Sequence, residues 1–155
     1  MNEFLQILTG GIGSLGFALL YNIRQSRLVA AACGGFMSWA LYLLLCRFIP
    51  NEAVCYFIVA LVCSLYAEIM ARKLRSPATA FITTALIPMV PGGSLYYTMA
   101  YSFENDFEKF LERAVYTLKL AGALALGIIV ATTLTKLYMK HHNSRKNAKT
   151  LQHAK

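Results

Sequence analysis

The sequence predicts an all-α integral membrane protein, a bundle of five transmembrane helices in which the fourth is broken. The first observation is composition: 57% of the 155 residues are hydrophobic and only 14% are charged, against about a quarter charged in a typical globular protein. The second is that five apolar runs each reach the roughly 20 residues that cross a bilayer. The third is that charged residues collect between these runs, as in multi-spanning membrane proteins.

The five runs define the predicted spans. They lack the period-2 alternation of lipid-facing barrel strands, so helices are the elements that satisfy their backbone groups in lipid. In chain order the spans are Phe4 to Tyr21, Leu28 to Phe48, Ala53 to Ala71, Thr79 to Tyr101 and Val115 to Tyr138. Residues 1–139 therefore form one transmembrane domain. The polar, basic stretch 140–155 shows no periodicity and is predicted to be a disordered tail.

Basic side chains predict the orientation of the chain in the cell membrane. They follow spans one, three and five, at Arg24, Arg27, Arg72, Lys73, Arg75, Lys136, Lys140, Arg145, Lys146, Lys149 and Lys155. The opposite segments hold Arg47, Lys109 and Arg113 beside Glu3, Glu52, Glu104, Asp106, Glu108 and Glu112. Since cytoplasmic loops are rich in Lys and Arg, we expect the N-terminus outside and the C-terminus in the cytoplasm. The net charge of +8 then suits anionic lipid, not nucleic acid.

The segment SFENDFEKFLERAV before the fifth span predicts a short amphipathic helix on the outer membrane surface or against a partner. Its apolar side chains recur at helical spacing, at Phe103, Phe107, Phe110, Leu111 and Ala114. Asn105 is expected to cap this helix, with Glu108 bonding back to it. A partly ordered hairpin loop is the alternative, because the segment is short.

The stretch TALIPMVPGGSLYYTM in the fourth span predicts a helix broken between Pro88 and Gly93. Pro88 and Pro91 have no N–H to donate, and their rings clash with the preceding turn. Gly92 and Gly93 tolerate the backbone angles needed to leave and re-enter a helix. An unsatisfied carbonyl surrounded by lipid costs several kcal/mol, so the break is expected to face protein or a water-filled cavity.

A new half-helix is expected to begin after the break. Its first amides, from Gly93 to Tyr96, would carry partial positive charge and hold an anionic group such as a substrate carboxylate. The hydroxyls of Ser94, Tyr96, Tyr97 and Thr98 lie on this half-helix. The predicted substrate path comprises Pro88, Pro91, Gly92, Gly93, Ser94 and Tyr97. A proline kink that only shapes helix packing is the alternative.

Glu68 and Arg72 are the candidates for ion coupling. Glu68 lies in the last turns of span three, and an ionisable group within a span is a functional candidate that could carry a coupling proton. The alternative is an i,i+4 ion pair of Glu68 with Arg72 near the cytoplasmic surface.

The sequence offers no constellation for catalysis, metal or another cofactor, so no enzyme is expected. The four cysteines contain no CxxC pair, and His141 and His142 stand alone in the polar tail. Cys46 and Cys55 flank one short loop, and whether they form a disulfide is left open.

The stretch AEIMARKLRSPATAFITTALIPMVPGGSLYYTM, residues 67–99, resembles the signature region of the threonine/serine exporter family. GFALLYN, residues 16–22, is similar to the first span of that family, and the likeness covers nearly the whole chain apart from the tail. More specifically, the chain resembles the small-subunit type, a counterpart of the C-terminal membrane half of full-length exporters. The resemblance implies an inner-membrane secondary exporter that works with a larger five-span subunit. It also implies substrates such as threonine, serine or succinate, all of which carry carboxylates.

Small residues indicate that these helices pack closely, within the chain or against further helices. They form faces in span one (Gly10, Gly11, Gly13, Ser14, Gly16), span two (Ala30, Ala31, Gly34, Gly35, Ser38) and span five (Ala121, Gly122, Ala125, Gly127). The functional prediction is the small subunit of a secondary-active exporter of small carboxylate-bearing metabolites, acting with the larger subunit or with a second copy of the chain. A structural subunit that stabilises a partner and transports nothing is the alternative.

Overall fold

The computed structural model of the protein describes residues 3–23, 26–104 and 106–153. Within these ranges the chain is helical apart from short connections and contains no strand. The helices are α1 Glu3–Leu20, α2 Ser26–Phe48, α3 Glu52–Lys73, α4 Ala78–Leu86, the 3₁₀ turn Ile87–Met89, α5 Gly92–Phe103 and α6 Phe107–His153. The predicted all-α fold is confirmed.

The described helices provide up to five membrane crossings. Four of them, α1, α2, α3 and α6, are each long and apolar enough to cross a bilayer. The fifth candidate is a bent pair, in which α4 with its 3₁₀ turn meets α5 at 60°. This bend confirms the predicted broken fourth helix, and the first four predicted spans agree with the observed bounds to within a few residues.

The segment before the fifth span differs from its prediction. Residues 107–114 are helical, but they are the first turns of α6 and not a separate amphipathic helix. No proline or glycine interrupts this stretch, so a continuous helix keeps all of its backbone hydrogen bonds. Asn105, the predicted cap, lies outside the described residues. Asp106 takes the role, since its Oδ1 accepts the Lys109 amide proton at 3.2 Å and its Oδ2 accepts a hydrogen bond from Lys109 Nζ at 2.7 Å.

The tail also differs from its prediction, because α6 continues to His153. Residues 140–153 were expected to be disordered from their polarity, yet the chain after Gly127 contains neither proline nor glycine. Lys, Ala, Leu and Gln all favour helices, so polarity alone does not end α6. The side chain of His142 lies outside the described residues, as do Arg24 and Lys155.

Two buried clusters hold the bundle together and position the break. The first joins α1, α2, α3 and α4 through Ala18, Ile23, Ala30, Ala31, Ala67, Ala71 and Phe81. The second joins α3, the break and α6 through Tyr56, Val59, Ala60, Cys63, Leu86, Met89 and Leu120. Helix α5 lies outside both clusters: its main contact among the described elements is with α6, and none of its residues is buried.

Some of the small residues do pack helices closely, as predicted. A Cβ added at Gly35 in α2 would collide with the Ser14 side chain of α1, and one at Gly127 in α6 would collide with the backbone of α3. Around Gly13, Gly16 and Gly122, by contrast, an added Cβ would meet nothing within 4 Å. These three glycines therefore leave open surface on the single chain.

Helices α1 and α3 are each followed at their C-terminal end by a residue in the left-handed conformation. These residues are Asn22, at φ 56°, and Arg75, at φ 50°. In each case a hydrogen bond spans the turn, from the Ile23 amide to Ala18 at 3.0 Å and from the Ser76 amide to Ala71 at 2.9 Å. This is the Schellman arrangement, in which glycine or asparagine is the usual left-handed residue. Arg75 adopts it against that preference.

All four cysteines are free thiols. Cys33 and Cys46 are exposed, whereas Cys55 and Cys63 are buried. The disulfide between Cys46 and Cys55 that the sequence left open is therefore not formed in this structure.

Candidate functional site

The break in the fourth crossing follows directly from its two prolines. Pro88 gives no N–H to the Thr84 carbonyl and Pro91 gives none to the Ile87 carbonyl. The Ile87 carbonyl is satisfied within the break by the Val90 amide at 3.2 Å, and the Gly92 amide donates to the Val90 carbonyl at 2.7 Å. The break is thus an ordered turn with backbone bonds of its own.

This chain covers only one flank of the break. Leu86 and Met89 are buried, with 4% and 0% of their surface exposed, and the ring of Pro88 lies against Gly10 of α1. The start of α5 is open, since Gly92 and Gly93 are exposed and a Cβ at either would meet nothing within 4 Å. The prediction that protein covers the break is therefore met at Pro88. At Gly93 the described residues leave the backbone uncovered.

The N-terminus of α5 presents unpaired backbone donors. No side chain caps this helix, and its first turn is closed by a bond from the Leu95 amide to the Pro91 carbonyl at 3.0 Å. The amides of Gly93 and Ser94 have no acceptor among the described residues, as expected for the first turn of a helix. Together with the helix dipole, such amides can hold an anion.

Two of the hydroxyls of α5, those of Ser94 and Thr98, lie against α6. Ser94 Oγ lies 2.6 Å from Thr117 Oγ1, and Thr98 Oγ1 lies 3.3 Å from the same atom. Thr117 also donates to the Arg113 carbonyl of its own helix at 2.8 Å. Of the predicted path residues, Ser94 therefore ties two helices together, and Tyr97 is left 53% exposed. Thr117 was not predicted, and its only signal in the sequence is a hydroxyl within an apolar run.

Glu68 and Arg72 form the i,i+4 ion pair that the sequence allowed. Glu68 Oε2 lies 2.9 Å from Arg72 Nη2, and the Glu68 side chain is only 12% exposed. Arg72 also lines a cavity of about 510 Å³ with Leu134 and Tyr138. The pair sits in the last turns of α3, whereas Pro88 packs beside the middle of α1, so the two parts of the predicted site lie at different depths.

A second polar cluster joins three helices and was not predicted. Glu52 at the start of α3 accepts a hydrogen bond from the Tyr42 hydroxyl of α2 at 2.7 Å and another from the Tyr116 hydroxyl of α6. Lys119 lines a cavity of about 430 Å³ with Glu52 and Tyr116. Lys119 could have indicated this cluster from the sequence, because it is an ionisable residue inside the fifth predicted span.

Comparison with known proteins gives one family match. A family model described as "Threonine/Serine exporter, ThrE" matches residues 6–134, which include every predicted site residue. No curated protein and no solved structure matches the chain.

Proposed function

Because this chain belongs to the threonine/serine exporter family and is a multi-pass membrane transporter of that type, we propose that it is the small subunit of a secondary-active exporter. In this proposal it acts with a larger membrane subunit of the same family. The solutes are small metabolites with a carboxylate, namely threonine, serine or a dicarboxylate such as succinate. The chain itself carries out no covalent chemistry, and its N-terminus faces outside.

The observation that carries the proposal is the open N-terminus of α5 next to an ordered break. Bare amides at Gly93 and Ser94 would be costly in contact with lipid, because nothing there accepts their hydrogen bonds. They are stabilised if water or a solute carboxylate occupies the space around Gly93. Discontinuous helices in carriers bind substrate carboxylates in this way.

The partner is inferred from surface that the single chain leaves uncovered. Helix α5 has no buried residue, and Gly13 and Gly16 of α1 form a smooth face with open space around them. Membrane helices associate through such small-residue faces. A larger subunit that packs on α5 would complete the passage and close it from lipid; a second copy of this chain is the alternative occupant.

Ion coupling is proposed for Glu68 with Arg72. A carboxylate that is 12% exposed and paired with a cation at 2.9 Å would release Arg72 when protonated, which links proton binding to a change at the end of α3. Glu68→Gln should abolish the dependence of export on the proton gradient while the subunits still assemble. If Glu68→Gln changes only the stability of the complex, Glu68 has a structural role.

The test is efflux of radiolabelled threonine, serine and succinate from cells that make this chain and the larger subunit. The double variant Pro91→Ala/Gly92→Ala restores the backbone donor at position 91 and should move the start of α5. It should lower efflux by about fivefold to tenfold, because an anion at a partly buried helix terminus is stabilised by about 1–2 kcal/mol. Gly122→Ala is the matched control, because a Cβ added at Gly122 of α6 meets nothing within 4 Å. Co-purification measures assembly in each case.

The alternative function, a structural subunit that transports nothing, draws on the same uncovered surface of α5. It predicts the reverse pattern: the double variant weakens co-purification, while the complex that still forms exports at the normal rate. Unchanged efflux and unchanged assembly would contradict the proposed path at the break.

A further inference from the structure

The cavity of about 510 Å³ beside Arg72 lies between α3 and α6. These two helices run side by side in the same direction: Tyr116 bonds to Glu52 near the start of α3, and Gly127 packs against Ala60 further along. The cavity follows at the C-terminal end of α3. It is lined by Leu65, Ile69, Arg72, Leu134, Thr135 and Tyr138.

The lining is apolar along its length and basic at one end. Leu65, Ile69 and Arg72 lie on one face of α3 at spacings of four and three residues, which corresponds to a rise of about 10 Å. The Thr135 hydroxyl is engaged within α6, because it donates to the Ala131 carbonyl at 2.7 Å. Among the described residues that line the cavity, Arg72 alone is charged. The cavity therefore combines a strip of hydrocarbon with one cation at its end.

Arg72 has donors left for a ligand. Its guanidinium carries five N–H groups, and Nη2 bonds to Glu68 at 2.9 Å. The other nitrogens of the guanidinium have no acceptor among the described residues, and 36% of the Arg72 side chain is exposed. A guanidinium binds phosphate as readily as carboxylate. Arg72 can therefore hold Glu68 and a phosphate group at the same time.

The charges around Arg72 favour an anion. Glu68 is the only acidic residue in the segments 53–103 and 113–155 of the sequence. Exposed basic residues surround this end of the two helices, namely Lys73, Arg75, Lys136 and Lys140. Since Glu68 balances only one of these charges, this end of the bundle is positive. Basic pockets between membrane helices bind the headgroups of anionic lipids.

We propose that this cavity binds one anionic phospholipid, with its phosphate on Arg72 and an acyl chain along Leu65, Ile69 and Leu134. A phospholipid has the same two parts as the cavity, a charged group at the membrane surface and hydrocarbon inside the bilayer. A water-soluble anion would leave the apolar strip uncovered, and an apolar helix of a partner would leave the donors of Arg72 unpaired. The site shares no residue with the proposed path at α5, and binding is measured without transport.

The first test measures the binding of single lipids to the purified full chain in detergent by native mass spectrometry. High salt is used, because it screens exposed charges more than a direct ion pair. Phosphatidylglycerol should bind about tenfold more tightly than phosphatidylcholine with the same acyl chains, whose phosphate is balanced by its own ammonium group. Arg72→Gln should abolish this preference. Lys73→Gln is the matched control, since it removes the same charge from the next position and Lys73 does not line the cavity.

The second test fills the apolar strip. Leu134→Trp should weaken the binding of both lipids and keep their ratio, because the larger side chain occupies the space of the acyl chain. Leu137→Trp is the matched control: Leu134 and Leu137 are 52% and 60% exposed, and Leu137 does not line the cavity. This arm decides the question if Arg72→Gln fails to fold.

Glu68→Gln separates lipid binding from the proposed ion coupling. It removes the carboxylate that shares Arg72, so phosphatidylglycerol should bind more tightly than it does to the wild type. A weaker binding of phosphatidylglycerol to this variant would contradict a phosphate on Arg72. Because the readout is lipid binding, loss of proton-coupled export in Glu68→Gln bears on the proposed function alone.

The inference is overturned if the wild type binds the two lipids equally, or if the preference survives in Arg72→Gln. A preference lost equally in Lys73→Gln would show a diffuse surface charge and no defined site. Displacement of phosphatidylglycerol by glycerol 3-phosphate would identify a site for soluble anions. Release of the lipid when the chain assembles with a larger subunit would identify the cavity as a subunit interface, and would also overturn the lipid site.

Discussion

Gly127 of α6 is the position at which one added methyl group tests the packing of the bundle most sharply. A Cβ there would lie 2.7 Å from the Ala60 Cβ, 2.7 Å from the Phe57 carbonyl oxygen and 3.0 Å from the Leu61 nitrogen. Two of these are backbone atoms of α3, which cannot rotate away as the end of a flexible side chain can. Gly127→Ala must therefore push α3 and α6 apart along their most extensive contact.

The expected magnitude follows from two opposing effects. Overpacking of this kind costs about 1–3 kcal/mol, and alanine in place of a helical glycine gains about 0.5–1 kcal/mol. Gly127→Ala should therefore lower the free energy of unfolding by up to about 2.5 kcal/mol, and by about 1 kcal/mol at the centre of the two ranges. At Gly122, on the same helix, an added Cβ meets nothing within 4 Å, so Gly122→Ala should raise it by about 0.5–1 kcal/mol.

Equilibrium unfolding of the purified chain in mixed micelles, with increasing fractions of a denaturing detergent, measures both changes. The midpoints of the two variants should move in opposite directions from the wild-type midpoint. Equal shifts, or a Gly127→Ala protein as stable as Gly122→Ala, would show that α3 and α6 do not approach closely at Gly127 and would refute this packing.

Three further substitutions test local features in the same unfolding assay. Arg75→Gly should raise stability by about 1 kcal/mol, because it relieves a left-handed residue, whereas Arg75→Ala removes the same charge and should not. Asp106→Asn should destabilise the protein at neutral pH: hydrogen bonds from Lys109 lower the pKa of Asp106, so its contribution is complete above the unfolded-state pKa. The difference in the free energy of unfolding between the wild type and Asp106→Asn should vanish as the pH falls through the lowered folded-state pKa of Asp106. A difference in stability that does not change with pH would contradict this role of Asp106. Tyr116→Phe should cost about 1–2 kcal/mol by removing one hydrogen bond to the Glu52 carboxylate, and a neutral effect would count against the three-helix cluster.

The spans and the break were accessible from the sequence because each rests on a local rule. The thickness of the bilayer sets the length of an apolar run, so the first four spans needed no knowledge of tertiary structure. Pro88 and Pro91 remove backbone donors wherever the helix packs, so the break was fixed by the residues themselves. The same local logic explains the two errors in α6, where polarity was given more weight than the absence of helix-breaking residues.

The environment of the break was not accessible, because it depends on how helices rotate about one another. Nothing local states that Ser94 meets Thr117 across 23 positions of sequence, or that Tyr42 and Tyr116 converge on Glu52 from different helices. Likewise, the two prolines predict that protein covers the break. They do not predict that α1 and α2 cover it on the side of Pro88 and leave the start of α5 open. Which side is covered depends on contacts between distant spans, which one sequence does not reveal.

The most direct test of the central claim is the chemical accessibility of position 93 in the assembled transporter. Gly93→Cys, in a chain whose four native cysteines are replaced, should react with a membrane-impermeant charged thiol reagent, and an exported solute should slow the reaction. Gly122→Cys, which also has open space around its Cβ, should face lipid or a partner and react slowly. If Gly93→Cys is as unreactive as Gly122→Cys in a complex that still exports, no solute passage runs past the start of α5.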